Sequence, residues 1–217
     1  MKNIAIYGAG GLGREMLLLI QQINRVLPTW TVAGFFDDGV PAGTMINGFS
    51  VLGNLKTLNQ WPDALAVILA IGKPGVKQAV VEQIINPTVW YPILIHPSVA
   101  VADENVTVIG EGSILSAGTI LTTNITMGRH VFVNLKCTIG HDVVLSDFCA
   151  LMPGVSVSGE VGLGEGVYVG TGAILLNRIT IGANTIIGAG AVVTRSLPNN
   201  CTAVGVPARP QFPVSIP

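Results

Sequence analysis

From Ile109 onward every sixth residue is aliphatic: Leu115, Leu121, Met127, Val133, Ile139, Leu145, Leu151, Val157, Leu163, Val169, Leu175, Ile181, Ile187 and Val193. A helix repeats at 3.6 residues and a lone strand at two. A strict six therefore means short strands separated by identical corners. The next position is often glycine (Gly110, Gly128, Gly140, Gly164, Gly170, Gly182, Gly188). The position four after the aliphatic is small or aliphatic (Ser113, Val131, Val143, Val155, Ala173, Ala191). The aliphatic is expected to point inward and the small residue after it to permit the bend. Three such faces make one triangular coil, so fifteen hexads predict about five coils. Cys137 and Cys149 fall at the inward i+4 position and read as small core residues. His130 falls at the i+3 corner, which is expected to face solvent. Cys201 lies beyond the repeat with no evident partner.

The first part of the chain is patterned differently. Lys2 to Tyr7 alternates as a strand, Gly8-Ala9-Gly10-Gly11-Leu12-Gly13 follows, and Arg14 to Asn24 reads as a helix. A second strand, Thr31 to Phe36, ends in Asp37-Asp38, a third, Ala66 to Ile71, ends in Gly72-Lys73, and Val76 to Ile85 reads as a helix. This is a three-strand Rossmann-like βαβ unit of about ninety residues, half of a dinucleotide fold and short of what NAD needs. The glycine turn has two readings, phosphate binding at a helix start or close packing of strand on helix. The acidic pair at the end of the second strand favours the first, since carboxylates there can bind a ribose hydroxyl or a base edge. The glycine turn, Asp37-Asp38 and Gly72 are expected to converge on the crevice at the carboxyl ends of the strands. A segment with three prolines from Pro87 to Pro97 marks the boundary, giving domains 1–92 and 93–217. Two extra residues between Val101 and Ile109 break the six-residue phase, which fits an irregular first coil.

Composition narrows the function classes. Of 217 residues 49% are apolar, only 11% are charged, against ~25% in an ordinary domain, and the mean hydropathy is +0.61. The longest apolar run, Ala64 to Ile71, is far short of the ~18 to 20 residues that span a bilayer. Met1-Lys2-Asn3 leads into a run broken by glycines, Arg14 and Glu15, unlike a signal peptide. A cytoplasmic protein without a membrane segment is expected. A net charge of −1 argues against nucleic acid as a partner. Three cysteines without a CxxC indicate neither a disulfide framework nor a zinc knuckle.

Candidate chemistry rests on three histidines. His96, in "IHPS", reads as structural. His141, in "TIGHDV", is followed by Asp142 and is either an exposed corner residue or a poised base. The coil ending in "IGAGAVVTRSLPNNCTAVGVPAR" resembles the hexapeptide-repeat acyltransferases. Together with the βαβ unit and "NLKCTIGHD", the chain is similar to the acetyltransferases that acylate nucleotide-linked amino sugars in bacterial surface-glycan synthesis, a group that includes sialic-acid O-acetyltransferase-like proteins. The similarity runs from "IYGAGGLGRE" through "FFDD" and "AIGK" to "VGVPAR". It implies a left-handed parallel β-helix, a homotrimer with active sites between subunits, acetyl-CoA as co-substrate and no metal.

Site residues follow from the resemblance. His141 is the implied general base and Asp142 the residue that raises its basicity. An imidazole can accept a proton from an amine or hydroxyl as it attacks a thioester, and a neighbouring carboxylate stabilises the imidazolium. Gly10, Gly11 and Leu12 match the turn on the nucleotide-sugar phosphates, although the family often has histidine where this chain has Leu12. Asp37 and Asp38 match the pair that reads base and ribose, and Gly72 a third substrate contact. Thr171 and Ala189 match corners that hold the pantetheine arm. Ala150 stands where many members carry a histidine beside the thioester, which puts that acetyl contact in doubt. Arg195 and Arg209 are either CoA-phosphate contacts or solvated surface. The expected reaction is N-acetylation of a nucleotide-linked amino-deoxy-sugar, at the C4 amine, with O-acetylation of a sugar or sialic acid as the alternative. A coil carbonic anhydrase needs three convergent zinc-binding histidines, and these three do not converge. A nucleotide-sugar sensor or scaffold would lack the His141-Asp142 pair.

Overall fold

A computed structural model describes residues 1–101 and 105–211. The chain divides into two compact units, Met1–Pro97 and Ser98–Pro217. The expected 92/93 boundary lies a few residues earlier.

The first unit is an α/β layer. Its elements are β1 (Lys2–Tyr7), α1 (Gly11–Val26), β2 (Trp30–Phe36), β3 (Met45–Ile46), β4 (Phe49–Gly53), α2 (Leu55–Asn59), β5 (Leu65–Leu69), α3 (Pro74–Gln83) and β6 (Val89–Trp90). One sheet runs β3-β4-β2-β1-β5-β6, so six strands stand where three were expected. All pairings are parallel except the β3–β4 hairpin. The sequence reading missed β3 and β4 because they are short and half-exposed, and β6 because it lies in the proline-rich segment taken as a boundary. Central strands of a parallel sheet are buried on both faces and need continuous apolar runs. Leu65–Leu69 meets that requirement with all five residues buried. Tyr7, Phe36, Leu58 and Val67 join it in one core cluster.

The second unit is a left-handed parallel β-helix. Two-residue strands pair with partners eighteen residues on, as Ile114 with Phe132, Ile120 with Thr138 and Thr126 with Val144. Its three faces carry eight, six and five strands, so the fifteen hexads account for five coils and the coil runs on beyond them at both ends. The aliphatic of each hexad points inward, with Leu115, Leu121, Val133, Leu145, Leu151, Val169, Leu175, Ile187 and Val193 at 0% exposure. The i+4 position is also internal. When polar, it donates to a backbone carbonyl of the following coil: Ser113 to Gly128, Thr119 to Asn134, Cys137 to Met152, Cys149 to Gly164.

The corners work differently from the sequence expectation. The residue that turns the chain is at i+3, where every position from Gly112 to Gly190 has φ between +55° and +74°. The i+1 glycines serve close approach instead: a Cβ on Gly140 would fall 2.7 Å from Gly159 N. His130 occupies an i+3 corner but is buried, its ring stacked on Phe148 at 5.2 Å, so the solvent-facing expectation fails. The tip of an i+3 side chain can lie down over the adjoining coil, which the hexad count alone does not reveal. Cys201 likewise is not a loose tail residue. It is buried in the coil core, with its thiol on the Pro198 carbonyl. The described residues end in an antiparallel pair, Thr202–Gly205 and Ala208–Gln211. The irregular first coil expected between Val101 and Ile109 falls in part on residues 102–104, outside those described.

Candidate functional site

In the first unit β1 is flanked by β2 on one side and β5 on the other, so the sheet order reverses at the carboxyl ends of β1 and β5. That switch point is where ligands of open α/β sheets sit. The glycine turn leaves β1 there. Gly8 has φ +109° and its amide donates to Phe36 O at 2.8 Å. Gly13, on the first turn of α1, packs directly on the Gly8 carbonyl, so that glycine serves packing. Gly10 and Gly11 are open, with no neighbour closer than 4.0 Å to the position of a Cβ. The first turn of α1 has no side-chain cap and no acidic residue. Its amides therefore point out with the positive end of the helix dipole, as phosphate binding requires. Leu12 lies beside Gly72, with Cδ2 3.9 Å from the position of a Gly72 Cβ.

Asp37 and Asp38 stand at the end of β2, facing a cleft of about 330 Å³ lined also by Val40, Asn54 and Thr57. Both carboxylates are already engaged by the protein. Asp37 accepts from Ala9 N (2.7 Å), Gly39 N (2.8 Å) and Val40 N (3.1 Å). Asp38 accepts from Leu55 N at 3.0 Å and from the Tyr7 hydroxyl. Burial and then the Asp38 bond push the Tyr7 phenol well above its ordinary range, so it stays a proton donor. The pair thus ties the glycine turn, the loop after β2 and the start of α2 to one another. Asp37 Oδ1 already accepts two amides, while Asp37 Oδ2 and both Asp38 oxygens keep a second lone pair for a ligand. Tyr7 escaped the sequence reading because it sits in a strand as an apparent core residue.

In the coil, His141 and Asp142 project from one corner, the first at i+2 and the second at i+3 with φ +59°. His141 Nδ1 lies 2.8 Å from Asp142 Oδ2, and Asn124 Nδ2 donates to Asp142 Oδ1 at 3.0 Å. The His141 bond, then the Asn124 bond, hold the Asp142 carboxyl below the usual range. A carboxylate only accepts, so the nitrogen facing it carries the proton and Nε2 is left as the acceptor of a neutral ring. The ring is half-exposed and lies over Gly159 of the next coil, where a Cβ would fall 2.5 Å from Cε1.

The other expected positions do not share that corner. Thr171 and Ala189 stack on each other one coil apart, Gly190 N donating to Thr171 O at 2.8 Å, and both are exposed. Eighteen residues make a coil, and thirty separate His141 from Thr171, so the two lie at different corners of the triangle. Arg195 follows His141 by three whole coils at the same corner, about 14 Å along the axis at ~4.8 Å per strand spacing. Arg195 and Arg209 are both exposed. Ala150 is fully buried in the sheet between Phe132 and Tyr168. Among the described residues no three His, Cys, Asp or Glu are grouped to hold a metal ion, and no helix is long and apolar enough to cross a membrane.

Comparison with known proteins agrees with this layout. Residues 3–84 match the PglD N-terminal domain, and residues 160–195 match the bacterial transferase hexapeptide family of six repeats. A GDP-perosamine N-acetyltransferase of Escherichia coli O157:H7 is 36% identical over 215 residues, 96% of each chain. A histidine-to-asparagine variant of perosamine N-acetyltransferase from Caulobacter crescentus, solved with CoA and GDP-perosamine, superposes with a TM-score of 0.87 at 28% identity over 98% of both chains. The acetyltransferase domain of PglB from Neisseria gonorrhoeae FA1090, solved with acetyl coenzyme A, gives 0.86 at 29% identity, covering 97% of this chain and 99% of that one.

Proposed function

The chain belongs to the acetyl-CoA-dependent sugar N-acetyltransferases that join a PglD N-terminal domain to hexapeptide repeats, and on that premise we propose that His141 is the general base that activates the amine of a nucleotide-linked 4-amino-deoxy-sugar. The observation that carries the reading is the His141–Asp142 pair, whose geometry leaves Nε2 as the free acceptor on an exposed corner. In the reaction the neutral amine attacks the thioester carbonyl and its proton passes to Nε2. The tetrahedral intermediate collapses, the C–S bond breaks, and the CoA thiolate leaves and takes up a proton. Asp142 stabilises the imidazolium formed on the way, and assistance of this kind is worth about 10²- to 10⁴-fold. No acyl-enzyme is needed.

Gly10 and Gly11 after β1 offer open amides for the diphosphate, and the cleft at the end of β2 offers spare lone pairs on Asp37 Oδ2 and on Asp38 for base or ribose. Thr171 and Ala189 are the proposed contacts of the pantetheine arm, with Arg195 toward its phosphates. Because Thr171 and Ala189 occupy a different corner from His141, acetyl-CoA is proposed to lie between adjacent subunits of a homotrimer in the cytoplasm. Ala150 is buried and its methyl side chain offers no polar group to the thioester.

The test is thiol release from acetyl-CoA with a panel of GDP-, UDP- and dTDP-linked 4-amino sugars, GDP-perosamine included. Turnover of a hydroxyl acceptor and of no amine overturns N-acetylation. Full activity of His141→Ala overturns the base, and a monomeric mass by light scattering overturns the shared site.

A further inference from the structure

A general base works only if one nitrogen is unprotonated and held still, and two residues outside the His141–Asp142 pair bear on both conditions. Asn124 stands one coil before Asp142, at the same corner, in the left-handed conformation (φ +55°). Its amide donates to Oδ1 of Asp142 at 3.0 Å, while Oδ2 of the same carboxylate faces His141 Nδ1 at 2.8 Å. The carboxylate is therefore fixed at both oxygens. Without Asn124 it is an exposed side chain free to rotate about χ2, and Nδ1 loses its fixed acceptor.

Gly159 stands one coil after His141 and is buried. Its backbone is not in the left-handed region, so glycine is not needed there for conformation. What a Cβ at 159 meets is the imidazole: Nε2, Cε1 at 2.5 Å and Cδ2 at 2.9 Å are its three nearest atoms. The ring lies in the space that the missing side chain leaves, with its free nitrogen edge nearest. Glu160, the next residue, is turned onto Arg178 at 3.0 Å rather than onto the imidazole.

We propose that Asn124 and Gly159 are positioning residues, one in the coil before and one in the coil after, that hold His141 as the Nδ1–H tautomer with Nε2 in a single place. This rests on the reading of His141 as the base. Misplacing a catalytic group by about 1 Å can cost on the order of 10²-fold. Gly159→Ala is expected to lower kcat at least about tenfold, and Asn124→Gly, which deletes the amide while keeping the left-handed corner unstrained, about three- to tenfold. In both variants KM for acetyl-CoA and for the amino sugar is unchanged, and so is the thermal midpoint.

The experiment pairs these kinetics with nitrogen NMR of protein labelled only at its three histidines. In the parent the His141 resonances are expected to report a protonated Nδ1 and an unprotonated Nε2. In Asn124→Gly they should report a mixture of tautomers, and in Gly159→Ala a shifted ring environment. An inactive His141→Ala combined with parental kcat and an unmoved tautomer in both variants overturns this proposal while leaving the base intact. A fully active His141→Ala overturns the base itself. Loss of kcat accompanied by an equal fall in thermal midpoint in both variants also overturns it, because the residues then serve the coil and not the ring.

Discussion

Removing the Asp37 carboxylate isolates what holds the nucleotide crevice together. In Asp37→Ala three backbone amides lose their acceptor: Ala9 at 2.7 Å, Gly39 at 2.8 Å and Val40 at 3.1 Å. Hydrogen bonds to a charged group are worth about 1.5–3 kcal/mol each when the orphaned partner stays dry. Ala9 is 3% exposed, so its amide pays close to the full amount. Gly39 and Val40 lie in an open loop and rehydrate, so each contributes about 0.5 kcal/mol or less. The sum is about 1.5–4 kcal/mol. For a unit of about a hundred residues each kcal/mol moves the midpoint by about 4–8 °C, so a drop of at least about 6 °C is expected in the transition of the first unit. Circular dichroism melts measure it, and KM for the nucleotide sugar should rise while KM for acetyl-CoA stays put. Asp37→Asn keeps one acceptor oxygen and should lose less. A melt of Asp37→Ala within about 2 °C of the parent would refute the idea that this carboxylate braces the glycine turn.

Leu151→Ala removes a fully buried side chain from the coil interior and should cost about 2.7–5 kcal/mol by chemical denaturation, because flanking coils cannot collapse into the gap. Arg129→Ala breaks an exposed ion pair with Asp147, which keeps its bond from the Arg129 backbone amide, so the loss should stay within about 1 kcal/mol. Burial pushes the Cys137 and Cys149 thiols up to about 11 and about 12. In the unfolded chain they ionise near 8.5, so the native state holds more protons above that pH and stability falls as pH rises from about 8.5 toward 11. Urea midpoints between pH 8 and 10.5 should decline, with a shallower slope in Cys137→Ala, and a thiol reagent at pH 8 should label neither residue before unfolding.

The coil was legible because its geometry leaves one solution: an inward residue every sixth position, visible from Leu115 to Val193. The corners were not, since glycine at Gly140 and aspartate at Asp142 do two different jobs that composition alone merges. In the first unit Asn47-Gly48 carried a readable hairpin signal, with both residues at positive φ between β3 and β4. The flanking strands, two and five residues long, are too short for alternation to mark them. His141 and Asp142 could be picked out by their charge against a neutral background. Asn124 and Gly159 could not, because Asn124 is eighteen residues from Asp142 and Gly159 eighteen from His141, and each is a neighbour only through the coil.

The eighteen-residue register also makes the second unit a ruler. Inserting or deleting one residue within a face would rotate every later aliphatic out of the interior, whereas a whole extra coil would add about 4.8 Å and leave all phases intact. The separation along the axis between His141 and Arg195 is thereby quantised, and so is the reach of any ligand that must touch both. A whole-coil insertion would lengthen that reach by about 4.8 Å at a step, and smaller changes would fall to the side chains on a scaffold whose spacing is fixed.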